Sequence, residues 1–504
     1  MVALNGNDLT LDQLVAIADD GVEVSLGAEA RARVSGARAV VDAHAQDEAP
    51  TYGVNTGFGS FAETRIDRGD LGPLQVNLLR SHAAGVGAPL AVRDVRAAMA
   101  LRANVLAKGY SGIRLETLET LIAALNRGVH PRVPSRGSVG ASGDLAPLAH
   151  IGLVLIGEGE VWDGTAASPA AAALTAAGMA PVTLEAKEGL ALINGTQVST
   201  AVAALTLYAV ERLARAADIS SALSIDALQG SIHPFEARIH AVRPFAGQAA
   251  VADNLWRLLQ GSRINAAHAN CGRVQDAYSM RCVPQVHGAA REALIWVRQV
   301  ITTEMNAATD NPMVFADTGD IVSGGNFHGA PIALAADVMV LALAQLATIS
   351  ERRSERLVNP ALSGLPAFLT RHGGLQSGLM IAQVTAAALA SEVKTLAHPA
   401  SVDTIPTSAN KEDHVSMSMA AALKAEHALQ LATYVIAVEV LCACQALDLV
   451  APLETSDPLK RVLAAVRDRV PTLVDDRPPA PDLDRIAEMI RAGSLEYASG
   501  SLVN

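Results

Sequence analysis

The residues most suited to unusual chemistry lie in one glycine-rich stretch, GSVGASGDLAP at 137–147. Within it, Ala141-Ser142-Gly143 has what backbone cyclisation requires. The glycine lacks a Cβ, so its amide nitrogen can approach a carbonyl; a small residue supplies that carbonyl, and the serine can lose water. The product would be an electrophilic methylidene-imidazolone. Taken alone, such a triplet is more often a plain turn, here with Asp144 as the cap of the next helix.

Two further side chains are of types that can do chemistry. Tyr52 lies in the glycine-bounded segment TYGVNTGFG, and a tyrosine can act as a base only as the phenolate. A free tyrosine titrates near pH ~10, so this role requires hydrogen-bond donors or positive dipoles that lower its pKa. Arg281 could orient a carboxylate through its planar fork. Without further context, Tyr52 is more often an ordinary loop aromatic, and Arg281 could equally make a structural ion pair.

The elements that must position these residues are predicted to be helical. Of the 504 residues, 50% are hydrophobic and 18% are charged, and Ala, Leu and Val dominate the apolar set. Apolar residues recur at three- and four-residue spacing, which predicts five long helices at 196–225, 288–308, 330–358, 375–397 and 411–450. The fold class is therefore mainly α: long Ala-rich helices forming a central helical bundle, with a smaller mixed N-terminal region that carries the Ala-Ser-Gly loop.

The chain is too long for one simple core, so two closely packed structural regions are expected. Glycine and proline interrupt the first part of the chain, and long helical segments begin near residue 196. We predict an N-terminal region, 1–195, with the Tyr52 and Ala-Ser-Gly loops, and a long-helix bundle and oligomerisation region, 196–504. Several helices are apolar around too much of their circumference to face solvent in a monomer, which predicts burial in an oligomer.

Charge and cysteine content restrict the partners. The net charge of -12 and the lack of Lys/Arg clusters argue against nucleic acid and against an anionic membrane surface. The cysteines at 271, 282, 442 and 444 form neither a CxxC pair nor a regular framework, so neither a metal site nor a disulfide scaffold is expected. No basic segment followed by an apolar stretch opens the chain, and acidic residues interrupt its most apolar run. We therefore expect a cytoplasmic protein without a membrane span.

Several longer motifs occur in order along nearly the whole chain. They are TYGVNTGFG (51–59), GSVGASGDLAPLAH (137–150), LINGTQ (192–197), VQDAYSMRCVPQ (274–285), TDNPM (309–313), GGNFHG (324–329) and SVDTIPTSANKEDHVSM (401–417). With these motifs the sequence resembles the aromatic amino acid ammonia-lyases and their aminomutase relatives, which make a methylidene-imidazolone (MIO) cofactor from Ala-Ser-Gly. The resemblance implies a mainly helical homotetramer whose active sites each collect loops from three subunits.

The resemblance also implies roles for residues that match the family motifs. Ala141, Ser142 and Gly143 would form the MIO, and Asn194 would help to form and hold it. Tyr52 would be the general base. The pocket around the cofactor and the substrate carboxylate would be lined by Gln275, Tyr278, Arg281 and Phe327. The part of the pocket that holds the side chain of the substrate would be lined by His82, Met380 and Glu412. Tyr278 would also be the next candidate for the base.

Within the family, the pairing of Ser81-His82 with Glu412 is most similar to the histidine-specific lyases. The implied reaction is the non-oxidative deamination of L-histidine to trans-urocanate and ammonia, without a metal or a diffusible cofactor. His82 and Glu412 could meet the ring nitrogens of histidine, whereas phenylalanine would leave a buried carboxylate unpaired. Lys411 departs from the histidine pattern, which has glutamine there. Its charge could pair with Glu412 and weaken the hold on imidazole, or the side chain could point away into a helix contact.

Several alternatives remain open at this point. A tyrosine or phenylalanine ammonia-lyase, or an aminomutase that returns the amine to Cβ, would share the fold and most motifs. A catalytically silent helical assembly protein would have lost the cofactor serine, the base or the arginine, and all three are present. Met380 is more often a core residue than a pocket residue, because methionine fills irregular apolar gaps. His287 and His328 lie near motif residues, and no role is predicted for them.

Overall fold

The structure is a computed structural model that describes residues 1–268, 272, 274–500 and 502. The described residues form 21 α-helices, and the predicted mainly α fold class is confirmed. In chain order they are α1 (Leu11–Asp19), α2 (Ala28–Gln46), α3 (Leu71–His82), α4 (Val92–Ala107), α5 (Leu115–Asn126), α6 (Leu145–Leu155), α7 (Ala170–Ala176), α8 (Glu188–Ile193), α9 (Gln197–Ala227), α10 (Ala237–Ala241), α11 (Ala246–Leu259), α12 (Arg263–Ala267), α13 (Tyr278–Arg281), α14 (Val283–Met305), α15 (Ala330–Val358), α16 (Pro360–Ser363), α17 (Met380–Leu396), α18 (Ser418–Leu449), α19 (Asp457–Arg469), α20 (Ala480–Ala492) and α21 (Ser494–Ser499).

The β-structure of the described residues is limited to four two-stranded sheets. The first sheet is parallel and the other three are antiparallel: β1 (Val2–Leu4) with β2 (Val24–Leu26), β3 (Val86–Pro89) with β4 (Pro134–Arg136), β5 (Glu160–Trp162) with β6 (Ala167–Pro169), and β7 (Met313–Phe315) with β8 (Asp320–Val322). Six of these eight strands precede residue 195, so the first part of the chain has the mixed character expected of it.

The predicted long helices are present, with the largest error at the start of α18. Three of them occur as α9, α14 and α15, with ends that differ by at most five residues. The other two begin later than predicted: α17 starts at Met380 rather than 375, and α18 starts at Ser418 rather than 411. Residues 408–410 and Met417 have φ values between 49° and 64°, which an α-helix excludes. The segment before Ser418 is therefore a loop.

The chain divides into two compact units, each built from discontinuous segments. Unit 1 comprises Met1–Leu205, Arg298–Asp337 and Pro399–Leu423, and unit 2 comprises Thr206–Val297, Val338–His398 and Lys424–Asn504. Four of the five chain positions at which one unit gives way to the other fall inside a helix. The predicted division at 195/196 is a different partition and stays a prediction.

Each unit has its own apolar core. In unit 1, α2 buries Ala37 and Val41 together with Val54 and Val314, and the burial of Val54 anchors the loop that carries Tyr52. In unit 2, the small side chains of α18 are fully buried over several turns, among them Ala428, Ala432, Ala443 and Cys444. The three described cysteines are free thiols, and Cys271 lies outside the described residues.

Two helices of the described residues, α15 and α18, are long and apolar enough to cross a membrane by length and composition alone. In their most apolar windows, 67% and 72% of the residues are buried inside the fold. Such burial is typical of core helices in globular proteins, which pass the same length and composition test.

Candidate active site

One cavity in unit 1 collects side chains from five separate segments of the sequence. It has a volume of about 600 Å³, and its lining includes Tyr52, His82, Ser142, Asn194 and Glu412. All five were predicted as site residues from the motifs. They lie in loops or at helix ends: α3 ends at His82, α8 ends one residue before Asn194, and α6 begins three residues after Ser142.

Three helices that pack against one another bring these ends together. α3, α6 and α8 form a mutually packed group. α8 approaches α3 closely because Gly189 has no side chain: a Cβ there would lie 2.7 Å from the Gln75 carbonyl oxygen. Gln75 itself is fully buried, and its Oε1 accepts from Leu190 N at 3.2 Å. The group therefore gives His82, Ser142 and Asn194 a rigid support.

The Ala-Ser-Gly loop is held against the residues that follow α8. Gly143 has φ +75°, and a Cβ there would lie 2.2 Å from the Gly195 carbonyl oxygen, so only glycine fits. Asn194 Nδ2 donates to the Ser142 carbonyl oxygen at 3.2 Å. Among the described residues, no partner reaches the buried Asn194 Oδ1. A buried acceptor without a partner is costly, so this oxygen can accept from a donor that enters the cavity.

Asp144 occupies the N-cap position of α6, but its side chain does not cap the helix. Its Oδ2 accepts from Ser199 N at 2.7 Å and from Ser199 Oγ at 2.8 Å, and its Oδ1 accepts from Ser138 Oγ at 3.2 Å. No side-chain bond to the first turn of α6 is present. Burial raises the pKa of this carboxyl, and the Ser199 and Ser138 bonds oppose the rise. Asp144 therefore ties both sides of the Ala-Ser-Gly loop to the start of α9.

Glu412 receives three hydroxyl donors. Its Oε2 accepts from Thr407 Oγ1 at 2.6 Å and from Ser408 Oγ at 2.7 Å, and its Oε1 accepts from Ser142 Oγ at 2.9 Å. Burial acts to raise its pKa, but the three hydrogen bonds outweigh burial and hold the pKa below its usual value. Glu412 is therefore an anion at neutral pH.

His82 presents one ring nitrogen that can accept. Its Nδ1 lies 2.9 Å from the Leu78 carbonyl oxygen and 3.1 Å from Ser81 Oγ. A carbonyl oxygen can only accept, so the hydrogen-bond network assigns the proton to Nδ1 and leaves Nε2 as an acceptor. Burial lowers the pKa of His82, against the Leu78 bond and the charge of Glu412. The ring is therefore neutral at pH 7.

Tyr52 does not have the lowered pKa that a general base at neutral pH requires. Its hydroxyl accepts from Gly59 N at 3.5 Å, and its ring meets Phe58 edge-on at 6.5 Å between centroids. Burial raises the pKa of Tyr52, the Gly59 bond opposes the rise, and the negative charge of Glu412 adds to it. The surroundings that unit 1 supplies thus favour the neutral phenol.

Four other predicted site residues belong to unit 2. Arg281 donates from Nη2 to Gln275 Oε1 at 2.9 Å and from Nε to the Asp276 carbonyl oxygen at 3.0 Å. Its guanidinium carbon lies 4.8 Å from the ring centroid of Tyr278, which is 71% exposed. Gln275 and Arg281 line a cavity of about 580 Å³. The described residues place no carboxylate in an ion pair with Arg281, and Met380 is the half-buried first residue of α17.

Phe327 lies in unit 1 but outside the lining of the 600 Å³ cavity. The next residue, His328, donates from Nε2 to the His414 carbonyl oxygen at 3.2 Å, and the two rings stack with centroids 5.9 Å apart. Ala330 N donates to His328 Nδ1 at 3.3 Å, which assigns the proton to Nε2. The GGNFHG loop and the loop of Glu412 are therefore in contact.

Sequence reasoning missed the hydroxyls that hold Glu412. Thr407 and Ser408 lie five and four residues before Glu412, in a motif whose resemblance to the family points to Glu412 and Lys411 and gives the two hydroxyls no role. The Lys411 side chain is exposed, and in the described ranges its ammonium makes no ion pair with Glu412. Among the described residues the pairing of Lys411 with Glu412 is therefore not made, and a contact of Lys411 with a helix stays a prediction.

The part of the chain that the structure describes contains no group of three or more His, Cys, Asp or Glu side chains arranged to hold a metal ion. The expected lack of a metal stays a prediction.

Comparison with known proteins identifies the family. The chain matches the family model described as aromatic amino acid lyase over residues 9–468. It is 55% identical over 502 residues to histidine ammonia-lyase of Anaeromyxobacter dehalogenans (strain 2CP-C), and the matched segment covers 98% of this chain and 99% of that protein. It is 53% identical over 497 residues to histidine ammonia-lyase of Myxococcus xanthus (strain DK1622), with 98% and 97% covered.

Solved structures agree with this family. Histidine ammonia-lyase from Trypanosoma cruzi matches with a TM-score of 0.92 and 45% identity, covering 99% of this chain and 94% of that chain. Tyrosine aminomutase from Streptomyces globisporus matches with a TM-score of 0.94 and 38% identity, covering 99% and 98%. The chain belongs to the aromatic amino acid lyase family, and the resemblance drawn from the motifs is confirmed.

Proposed function

We propose that this protein catalyses the non-oxidative deamination of L-histidine to trans-urocanate and ammonia. One observation carries the proposal: a neutral His82 and an ionised Glu412 line the same cavity as Ser142, in a chain 55% identical to a histidine ammonia-lyase. Either acceptor can receive the N–H of an imidazole ring, which a phenyl ring lacks. After the loss of the Ser142 hydroxyl, a phenyl substrate would leave Oε1 of Glu412 without a donor, at a cost of about 1–3 kcal/mol.

We infer that Ala141, Ser142 and Gly143 form an MIO cofactor. The close approach of Gly143 to Gly195 and the bond from Asn194 Nδ2 to the Ser142 carbonyl oxygen, which would become the ring carbonyl, support this assignment. When present, the group supplies an electrophile that makes the substrate amine a better leaving group. Asn194 would hold it through the bond from Nδ2 to the Ser142 carbonyl oxygen.

The remaining roles concern binding and proton transfer. Tyr52 would accept the proton from the substrate Cβ, with Tyr278 as the next candidate. Arg281 would bind the substrate carboxylate, aided by Gln275, and so fix Cα and Cβ in position. Phe327 and Met380 would complete the pocket. Because unit 1 raises the pKa of Tyr52, the phenolate needs donors beyond those described around it.

We propose a cytoplasmic homotetramer with shared active sites, acting on a small amino acid and on neither nucleic acid nor membrane. Apolar side chains left exposed on unit 2 helices support an oligomer. Ile295 on α14 is 58% exposed, and Ile381 and Val384 on α17 are 60% and 51% exposed. Their burial between subunits would remove apolar surface from water. Neighbouring subunits would also bring further donors to the Tyr52 cavity.

The test is an ultraviolet assay of the purified protein with L-histidine, L-tyrosine and L-phenylalanine supplied separately. Each product has a new conjugated double bond, so its absorbance reports deamination directly. We expect the largest kcat/KM with histidine. A preference of tenfold or more for tyrosine or phenylalanine, roughly 1.4 kcal/mol in the transition state, would overturn the histidine assignment. Light scattering at the assay concentration should give four times the chain mass.

A further inference from the structure

The two carboxylate oxygens of Glu412 have different partners. Oε2 is held by two hydroxyls of the same loop, Thr407 Oγ1 and Ser408 Oγ, at 2.6 and 2.7 Å. Oε1 has one hydroxyl donor, Ser142 Oγ, at 2.9 Å, and this donor comes from the Ala-Ser-Gly loop. The same carboxylate is thus anchored at one oxygen and in contact with the reactive loop at the other.

The anchor is built into a strained turn. Thr407 N donates to the Glu412 carbonyl oxygen at 2.9 Å, which closes a short loop between the two residues. Inside it, Ser408, Ala409 and Asn410 have φ values of 49°, 54° and 64°. Three successive residues other than glycine in the left-handed region are unfavourable, and such backbone persists only where the surroundings hold it. Here, Ser60 Oγ, from the loop of Tyr52, donates to the Ser408 carbonyl oxygen at 3.2 Å.

Maturation of the Ala-Ser-Gly loop changes only one side of this carboxylate. In the dehydration of Ser142, the Cβ–Oγ bond breaks, the Cα hydrogen is lost, a Cα=Cβ double bond forms, and Oγ leaves as water. Oε1 of Glu412 then loses its hydroxyl donor, whereas Oε2 keeps both of its own. The carboxylate is left with a fixed direction and with one oxygen that can accept from a ligand.

We propose that Thr407 and Ser408 are positioning residues that determine ring specificity: they fix Oε2 of Glu412 so that Oε1 accepts the ring N–H of the substrate, in place of the lost Ser142 hydroxyl. The inference rests on the proposed histidine function. It adds that recognition of the ring depends on two hydroxyls that do not touch the substrate. Removing one hydroxyl lets the carboxylate rotate, and an imidazole ligand loses a directed bond that an apolar ring never makes.

The test compares two ligands that differ in their ring nitrogens, trans-urocanate and trans-cinnamate, by isothermal titration calorimetry. The variants are Thr407→Val, which keeps the branched shape at an extended residue with φ -129°, Thr407→Ser, which restores the hydroxyl, and Ser408→Ala. Thr404→Val is the matched control, because the Thr404 hydroxyl accepts from Val415 N at 2.9 Å and does not contact Glu412. Intact mass establishes that each protein has lost two waters.

We expect Thr407→Val and Ser408→Ala to weaken trans-urocanate binding about tenfold, and to change trans-cinnamate binding less than twofold. Thr407→Ser should bind urocanate as the wild type does, and Thr404→Val should leave the ratio of the two affinities unchanged. If the wild type prefers urocanate but Thr407→Val does not alter that preference, or if both ligands weaken equally, the inference is wrong and the proposed function stands. A wild type that binds cinnamate more tightly and does not deaminate histidine would instead overturn the proposed function.

Discussion

A carboxylate and a histidine lie together in both compact units, in different surroundings. In unit 1, the donors to Glu412 among the described residues are neutral hydroxyls, and Glu412 shares a loop-lined cavity with His82. In unit 2, Asp218 on α9 contacts His287 Nδ1 at 2.8 Å and Arg291 Nη2 at 2.6 Å, both on α14. The side chains of Asp218 and His287 are 0% and 1% exposed, so this cluster is enclosed among helices.

Unit 2 contains a second buried carboxylate that is paired with a cation. Arg353 Nε and Nη2 donate to the two oxygens of Glu439 at 2.5 and 2.8 Å, and both side chains are fully buried. Ser224 and Ser350 add hydroxyl donors at 2.7 and 2.6 Å. Each negative charge here is matched by a positive charge within the same unit.

The difference separates a structural carboxylate from one available to a ligand. A buried anion that already has a cationic partner has nothing left to offer a substrate, and its loss leaves an uncompensated charge. An anion held by neutral donors at the edge of a cavity keeps its net charge and at least one direction for a new bond. A histidine beside a carboxylate is therefore not by itself a sign of function.

The largest expected effect on turnover comes from removing the Ser142 hydroxyl, which donates to Glu412 in the cavity. Ser142→Ala should abolish nearly all histidine turnover and the loss of two waters by intact mass, with little change in the melting temperature. Ser350→Ala is the matched change in unit 2, since it also takes a hydroxyl from a glutamate. It should keep turnover and lose about 1.5–3 kcal/mol of stability. Normal activity of Ser142→Ala would exclude a cofactor formed at this serine.

The two glutamates provide the next test. Glu439→Gln should destabilise the protein by about 3–5 kcal/mol, because the buried Arg353 loses its charge partner. Glu412→Gln should leave the melting temperature unchanged and reduce kcat/KM for histidine by about 10- to 100-fold. Calorimetry and the ultraviolet assay on both variants check this. A Glu412→Gln protein as unstable as Glu439→Gln would place Glu412 among the structural carboxylates.

A smaller effect concerns pH. Burial lowers the pKa of His287 against the pull of Asp218, so the folded protein binds a proton there less readily than the unfolded chain, whose histidines titrate near pH ~6.5. As the pH falls below that value, the unfolded state takes up more protons and stability decreases. Burial acts to raise the pKa of Asp218, but Arg291 and His287 hold it below the ordinary carboxylate value. The stability that the ionised Asp218 contributes is therefore lost only when the pH falls below the ordinary carboxylate range.

His287→Gln should therefore flatten the fall in melting temperature between pH 7.5 and pH 5.0. The pKa of His82 is also lowered by burial, but its side chain is only half-buried, so His82→Gln should flatten the curve less. Melting temperatures of the wild type, His287→Gln and His82→Gln at five pH values from 7.5 to 5.0 show how much each substitution flattens the curve. Equal flattening by the two variants would contradict the contrast drawn between enclosed and cavity-lining histidines.

Much of the fold and the candidate site could be predicted because the signals were local. Helical periodicity located the long helices, and short motifs named the five residues that the structure brings into one cavity. The left-handed residues 408–410 carry no glycine signal, so the start of α18 was missed. The unit boundaries fall mostly inside helices, where composition does not change. Burial decides the pKa of Tyr52, and burial depends on segments that are distant in sequence.

Lys411 gives the smallest expected effect and the sharpest test of how the cavity carboxylate is held. Its exposed side chain makes no ion pair with Glu412 in the described part of the chain, and the donors to Glu412 are neutral. Screening by water and salt leaves an exposed cation little influence on a carboxylate that other groups already hold. Lys411→Gln should therefore change kcat/KM for histidine by less than about twofold, or ~0.4 kcal/mol. A several-fold gain would mean that Lys411 draws Glu412 away from the substrate, and that the hydroxyl anchor is weaker than its geometry implies.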